Sequence, residues 1–177
     1  MTLRRAAVYW ACFLGLGVYY VAGLRRPAVP PAAHLTRGAF LEVPENQIQA
    51  VDVRRGDTVV RCRRAAERWQ IVEPAGAAVP SDLVAALVAN LTQLPDVEVV
   101  QEEATELAQF GLDPPVSQIT LTLDHERTMS VRVGNRNPSS TAVYAQRADS
   151  PRVFLIGLNV RYYEDLLFEA LQPRRAS

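Results

Sequence analysis

The sequence contains no lysine: its 19 basic residues are all arginine, set against 19 carboxylates for a formal net charge of zero. Schiff-base chemistry, pyridoxal-phosphate attachment and Walker-type phosphate loops each need a primary amine at their centre, so those enzyme classes are excluded. Cysteine is scarce, with Cys12 and Cys62 alone, which leaves no disulfide framework and no zinc spacing. The two histidines, His34 and His125, lie far apart and form no helical metal-binding pair. A serine nucleophile elbow, a metalloprotease helix and a dinucleotide fingerprint are all missing. From these absences no catalytic residue, cofactor or metal ligand is assigned. The rest of the composition, 49% hydrophobic and 21% charged over 177 residues, is that of one folded domain with an appendage.

The appendage is amino-terminal. Residues 6–24 read AAVYWACFLGLGVYYVAGL, nineteen positions without a charge, bounded by Arg4 and Arg5 before and Arg25 and Arg26 after. A helix of that length rises about 28 Å, close to the hydrocarbon thickness of a bilayer. Tyr9, Trp10, Tyr19 and Tyr20 suit its interfacial belts. A cleaved signal peptide is the competing reading, because Val21-Ala22-Gly23 is a small-residue site. The long apolar core and the arginine pair directly after it weigh against cleavage. A lipoprotein signal at Cys12 would need a longer apolar stretch before the cysteine, and a soluble core helix would not be apolar on every face. The expectation is an uncleaved membrane anchor over residues 1–26, amino terminus inside, with the following domain exported, since a short tail is easily retained in the cytoplasm.

Pro27, Pro30 and Pro31 make residues 27–39 a semi-rigid spacer. The folded domain is expected over residues 40–172, with a short tail at 173–177. Setting aside the four arginines that flank the anchor leaves fifteen against nineteen carboxylates, a net charge of −4 beyond it, which gives no global case for nucleic acid.

Within the domain, Gln47 to Val53 and Thr58 to Arg64 alternate polar and apolar residues about an Arg55-Gly56-Asp57 turn, a hairpin with one wet face. Arg68 to Glu73 reads as a third strand with Trp69 and Ile71 on one side. Ser81 opens a helix as its cap, with Leu83, Leu87, Leu91 and Leu94 at helical spacing and an alanine face opposite. Val97, Val99 and Val100 suggest a short strand, and Thr105 to Phe110 a brief helix closed by Gly111. Pro114 and Pro115 then impose an extended approach to the next strand. Strands follow around Ile119 to Leu123, Met129 to Val133, Ala142 to Arg147 and Val153 to Ile156, before a helix from about Asn159 to Leu171. The fold class is α+β: one domain of antiparallel strands with two main amphipathic helices, preceded by the transmembrane helix. A hairpin, strand and helix over Gln47 to Leu94, and four strands and a helix over Ser117 to Leu171, hint at internal duplication.

The ordered set of Trp69-Gln70-Ile71 with Pro74, SDLVAALVANLTQL, FGLDPP, Val131-Arg132-Val133-Gly134, Tyr144-Ala145-Gln146-Arg147 and Val153-Phe154-Leu155-Ile156 resembles the domain of unknown function 4340 family over about Val51 to Leu171. Phe110 stands where that family usually has tyrosine. The resemblance implies a bacterial inner-membrane protein with a single anchor and a periplasmic domain, accessory to a gliding-motility-type ABC transporter. It carries over no catalytic residue.

Three constellations could carry function. Arg54, Arg55, Arg61, Arg63, Arg64 and Arg68 form the candidate docking patch for lipid headgroups or an acidic protein partner, with nucleic acid disfavoured by the exported topology. A solvated sheet face, partly neutralised by Asp52, Asp57 and Glu67, is its plainer reading. Asp124, His125 and Glu126 bring acid–base groups together but sit in a tight turn, where a solvated role is expected. Residues 134–141, GNRNPSST, form a polar loop long enough to contact a ligand, and carry the alternative function of an extracytoplasmic small-molecule-binding or hydrolytic domain. Glu102, Glu103 and Glu106 read as the acidic start of a helix and not as a calcium site.

Overall fold

The structure is a computed structural model that describes residues 37–38, 40–66, 68–77, 79–94 and 97–171. The anchor expected at residues 1–26, most of the spacer and the tail at 173–177 lie outside the described residues. Among the described residues no helix is long and apolar enough to cross a membrane.

Alternation of apolar and polar residues builds the strands, and each alternation resolves into one buried and one wetter face. They are β1 (Arg37–Gly38), β2 (Ile48–Arg55), β3 (Thr58–Ala65), β4 (Arg68–Glu73), β5 (Val97–Gln101), β6 (Ser117–Leu123), β7 (Thr128–Arg136), β8 (Ala142–Arg147) and β9 (Val153–Gly157). Among the described residues they form one sheet in the order β1-β5-β9-β8-β7-β6-β2-β3-β4. Every neighbouring pair is antiparallel. Two meanders therefore run outward from a central β2–β6 pair, β2-β3-β4 one way and β6-β7-β8-β9 the other. Each ends in a helix, α1 (Ser81–Thr92) or α2 (Leu158–Glu169). Three strands in one half and four in the other is the pattern that hinted at duplication.

One face of the sheet meets the helices. Val51, Val53, Val60, Cys62, Ile119, Leu121, Val131 and Val133 are fully buried there, in one cluster with Val84, Leu87, Val88 and Leu91 of α1 and Val160 and Leu167 of α2. Burying a side chain of this size contributes about 1.5–3 kcal/mol. The two helices pack against each other, and the alanines Ala85, Ala86 and Ala89 of α1 are half-buried, so the alanine face is partly covered within the domain. Phe40 closes the core by meeting Phe154 edge to face, centroids 5.3 Å apart, while its amide donates to the Leu94 carbonyl.

Two local expectations are corrected. Ser81 is not the cap of α1: Pro80 holds that position, and the Ser81 hydroxyl instead accepts the Trp69 amide at 3.1 Å. The hydroxyl satisfies a sheet edge that would otherwise stand open. The segment before β6 does not run straight into it. Gly111, at φ +67°, closes a 3-10 turn over Leu107–Phe110, and the chain then folds back so that Leu112 bridges Pro115 and the Val116 amide donates to the Gly111 carbonyl. The buried side chain of Leu112 anchors this reversal. The segment covers the outer face of β8 and β9, where Phe110 meets Tyr144 edge to face at 4.9 Å and packs with Val153.

Candidate functional site

The strand period of two sorts the arginines. On β2, Arg54 points to the face without helices and Arg55 to the face with them. Arg61 and Arg63 of β3 and Arg68 of β4 are exposed and alternate with the buried Val60, Cys62 and Trp69, so they share the open face with Arg54. Arg64 donates to the Glu45 backbone carbonyl at 3.2 Å. The sequence patch is thus divided: four arginines stand on one face, Arg64 is tied down beside it, and Arg55 belongs to the opposite side.

The register fixes what the open face offers. Asp52 lies between Arg61 of β3 and Thr120 of β6, and Ala50 between Arg63 and Thr122. The Arg61 guanidinium donates to Glu73 at 2.6 Å and stands 3.8 Å from Asp52, all three half-exposed. Around them is a groove of about 700 Å³ lined by Gln49, Asp52, Arg61, Arg63, Glu73 and Glu126, among others. It carries charge of both signs. The arrangement suits recognition of a charged, extended surface, because exposed guanidinium groups offer directed donors at little desolvation cost. Burial, with the Asp52 charge adding to it, pushes the Cys62 thiol up to about 12, so this cysteine is no nucleophile.

The Asp124-His125-Glu126 turn does not converge. Asp124 accepts a 2.8 Å hydrogen bond from Gln49, while His125 and Glu126 are exposed at φ +60° and +58°. Among the described residues no three His, Cys, Asp or Glu side chains come together to hold a metal. In the 134–141 loop, Asn137 accepts from the Thr141 and Ala142 amides and donates to the Ser139 and Thr141 hydroxyls. That turn uses its polar groups on itself. Glu102 forms an ion pair with Arg152 at 2.6 Å.

The strongest electrostatic feature lies on the closed face. Glu164 of α2 is fully buried, accepts the Ser117 hydroxyl at 2.8 Å on both oxygens, and meets Arg55 and Arg161 at 3.2 Å each. Arg161 also donates to the Gly134 carbonyl at 2.7 Å. Arg55 reaches Asp165 at 2.8 Å and stacks over Phe168 at 4.6 Å. Burial pushes the Glu164 carboxyl above its ordinary value, opposed by Arg161, Ser117 and Arg55. Burial likewise lowers the Arg161 guanidinium, with Glu164 opposing. The cluster ties α2 to β2, β6 and β7. Sequence reading missed it, although a signal existed: Glu164 stands at helical spacing from Val160 and Leu167, inside the stripe that is buried. Tyr162 of the same helix is 57% exposed.

Beside this geometry, residues 69–172 match the family model described as Domain of unknown function (DUF4340). The match begins at Trp69 and so takes in β4 and both helices, with every segment on which the resemblance was drawn. No curated protein and no solved structure matches the chain.

Proposed function

The chain belongs to the family described as Domain of unknown function (DUF4340), and we propose that it is a membrane-anchored, extracytoplasmic accessory protein, a non-catalytic component of an envelope complex of the ABC-transporter-associated kind. The anchor reading rests on the uncharged run at residues 6–24 between arginine pairs, and the transporter setting on the family resemblance. The observation that carries the docking role is the asymmetry of the sheet. One face is closed by α1 and α2, while the β2–β3–β4 end of the other holds an open groove lined by Arg61, Arg63 and Arg64, with Arg54 and Arg68 exposed on the same face outside it. A protein whose role is to be held against a partner needs such a face, and Arg is favoured in such contacts.

Arg61→Glu with Arg63→Glu tests this in intact membranes. Crosslinking followed by mass spectrometry on the native protein should yield a stoichiometric membrane complex containing transporter components, at least tenfold depleted in the variant, while circular dichroism shows the domain folded. A solitary protein, or a complex indifferent to the charge reversal, would overturn the reading. A reporter enzyme active only in an oxidising compartment, fused after Ser177, should be active.

A further inference from the structure

The two ends of the sheet are unlike. Among the described residues one is finished by β1, two residues long, and the other by β4, six residues long from Arg68 to Glu73. Long open edges are templates for another chain, and proteins usually blunt them. We propose that the β4 edge is the docking element of this face, and that an acidic, extended segment of a partner protein adds to it as a further strand. This deepens the docking reading above and rests on it.

The backbone geometry sets which groups are offered. Trp69 pairs with Arg64 across β3–β4, yet its amide donates to the Ser81 hydroxyl at 3.1 Å and not to β3. Antiparallel ladders alternate between bonded and unbonded pairs. Ile71, two residues on and paired with Cys62, therefore also turns its N–H and C=O outward. Ser81 satisfies the first donor of the edge, and among the described residues the Trp69 carbonyl and both Ile71 groups make no bond outside β3, which leaves them for an incoming strand.

The side chains set which partner fits. Alternate residues of an added strand would lie on the open face beside Arg68 and Gln70, with Arg63 directly behind Gln70 in register. Past Ile71 a bulge at Val72 breaks the alternation and sets Glu73 opposite Arg61, with which it already pairs. Arg63 and Arg68 are exposed, so the complementary residues are acidic. The intervening residues would fall beside Trp69 and Ile71, which belong to or pack on the apolar core, so they are apolar. Val72, 51% exposed on this edge, would be covered. A strand of alternating acidic and β-branched residues meets all three demands, with backbone bonds supplying affinity and side chains the selection.

The test uses the full chain in detergent micelles and a fluorescent acetyl-(Glu-Val)4-amide read by anisotropy. Saturable binding is expected, with at least tenfold weaker binding for the Lys-Val counterpart and for Arg63→Glu with Arg68→Glu. A probe of the same charge, N-methylated at alternate residues on whichever edge faces the protein, should also bind at least tenfold more weakly, and this readout needs no change to the protein. Equal binding of both N-methylated registers overturns strand addition. Preference for phosphatidylglycerol vesicles over the peptide, or edge-to-edge dimers in sedimentation that exclude it, overturns the occupant. A membrane complex lost in the Arg61/Arg63 variant alongside no peptide binding would leave docking standing and remove only this mode of it.

Discussion

Arg54 and Arg55 are neighbours in the chain, yet they live in opposite worlds. Arg54 is exposed on the open face, while Arg55 reaches across the closed face to Glu164 and Asp165 and lies over Phe168. On the open side guanidinium groups sit in water, and pairs such as Arg61 with Glu73 are half-exposed, worth about 0–1 kcal/mol each. On the closed side one fully buried carboxylate holds a buried arginine, a buried hydroxyl and the partly exposed Arg55. Chemistry of the same kind is thus left in water on one face and fixes geometry on the other, and the strand period alone decides which. Charge that is expensive to strand belongs where geometry is fixed. Charge that costs little to uncover belongs where a partner must find it.

The sharpest way to break this contrast is Glu164→Ala. It leaves Arg161 buried without its carboxylate and Ser117 without an acceptor, and removal of one member of a buried ionic cluster costs about 3–5 kcal/mol. Urea denaturation followed by circular dichroism should show a loss in that range. A loss below about 1 kcal/mol, the size expected for an exposed pair, would mean the closed face is no stricter than the open one.

Gly134→Ala tests the boundary between the two regions. The Gly134 carbonyl accepts Arg161 from the closed side, while a Cβ on its α-carbon would collide with the Phe110 carbonyl oxygen and crowd Leu112 from the segment that covers the outer face. Overpacking of this kind costs about 1–3 kcal/mol. Both structure and charge cluster would feel it, so thermal unfolding should fall accordingly. An unchanged midpoint would show that the 107–116 segment is a loose cover and not part of the fold.

The alternating strands and the leucine spacing of α1 were legible in the sequence because both are local periodicities. Val51 and Val53, or Leu87 and Leu91, announce their face within a few residues. The sheet order was not legible, since nothing in β2 specifies β6 as its neighbour across more than sixty residues of chain. The open arginine face was half legible: Arg61 and Arg63 follow from alternation, but the loss of Arg55 to the other side depends on how far β2 extends. Ser81 was misread as a cap because propensity says nothing about an amide from another strand competing for its hydroxyl. In the sequence Phe110 and Gly111 simply end a brief helix, and Pro114 and Pro115 lead into a strand. The burial of Phe110 and Leu112 on the far side of β8 and β9 is a tertiary fact, and the tight Gly111 and Gly134 contacts that permit it appear in sequence only as two glycines.

The smallest effect separates a buried carboxylate from an exposed one by sign. The Glu164 carboxyl is raised by burial, so between the ordinary carboxylate range and its folded value the native state holds a proton that the unfolded chain has released. Stability from this group therefore rises as pH falls from neutral into that window. Asp149 is exposed and held below its ordinary value by its hydrogen bond from Arg147. Its contribution is present above the ordinary carboxylate range and is lost as pH falls through the lowered folded value. Subtracting the urea stability of Glu164→Gln from that of the native chain should give a difference that grows from pH 7 towards about pH 4, the ordinary carboxylate range. The same subtraction for Asp149→Asn should stay flat over that span and shrink only below it, with an amplitude within the 0–1 kcal/mol typical of about any exposed pair. Difference curves of the same slope would mean that the buried carboxylate titrates like a surface one, and the contrast between charge held by burial and charge left in water would fail at its centre.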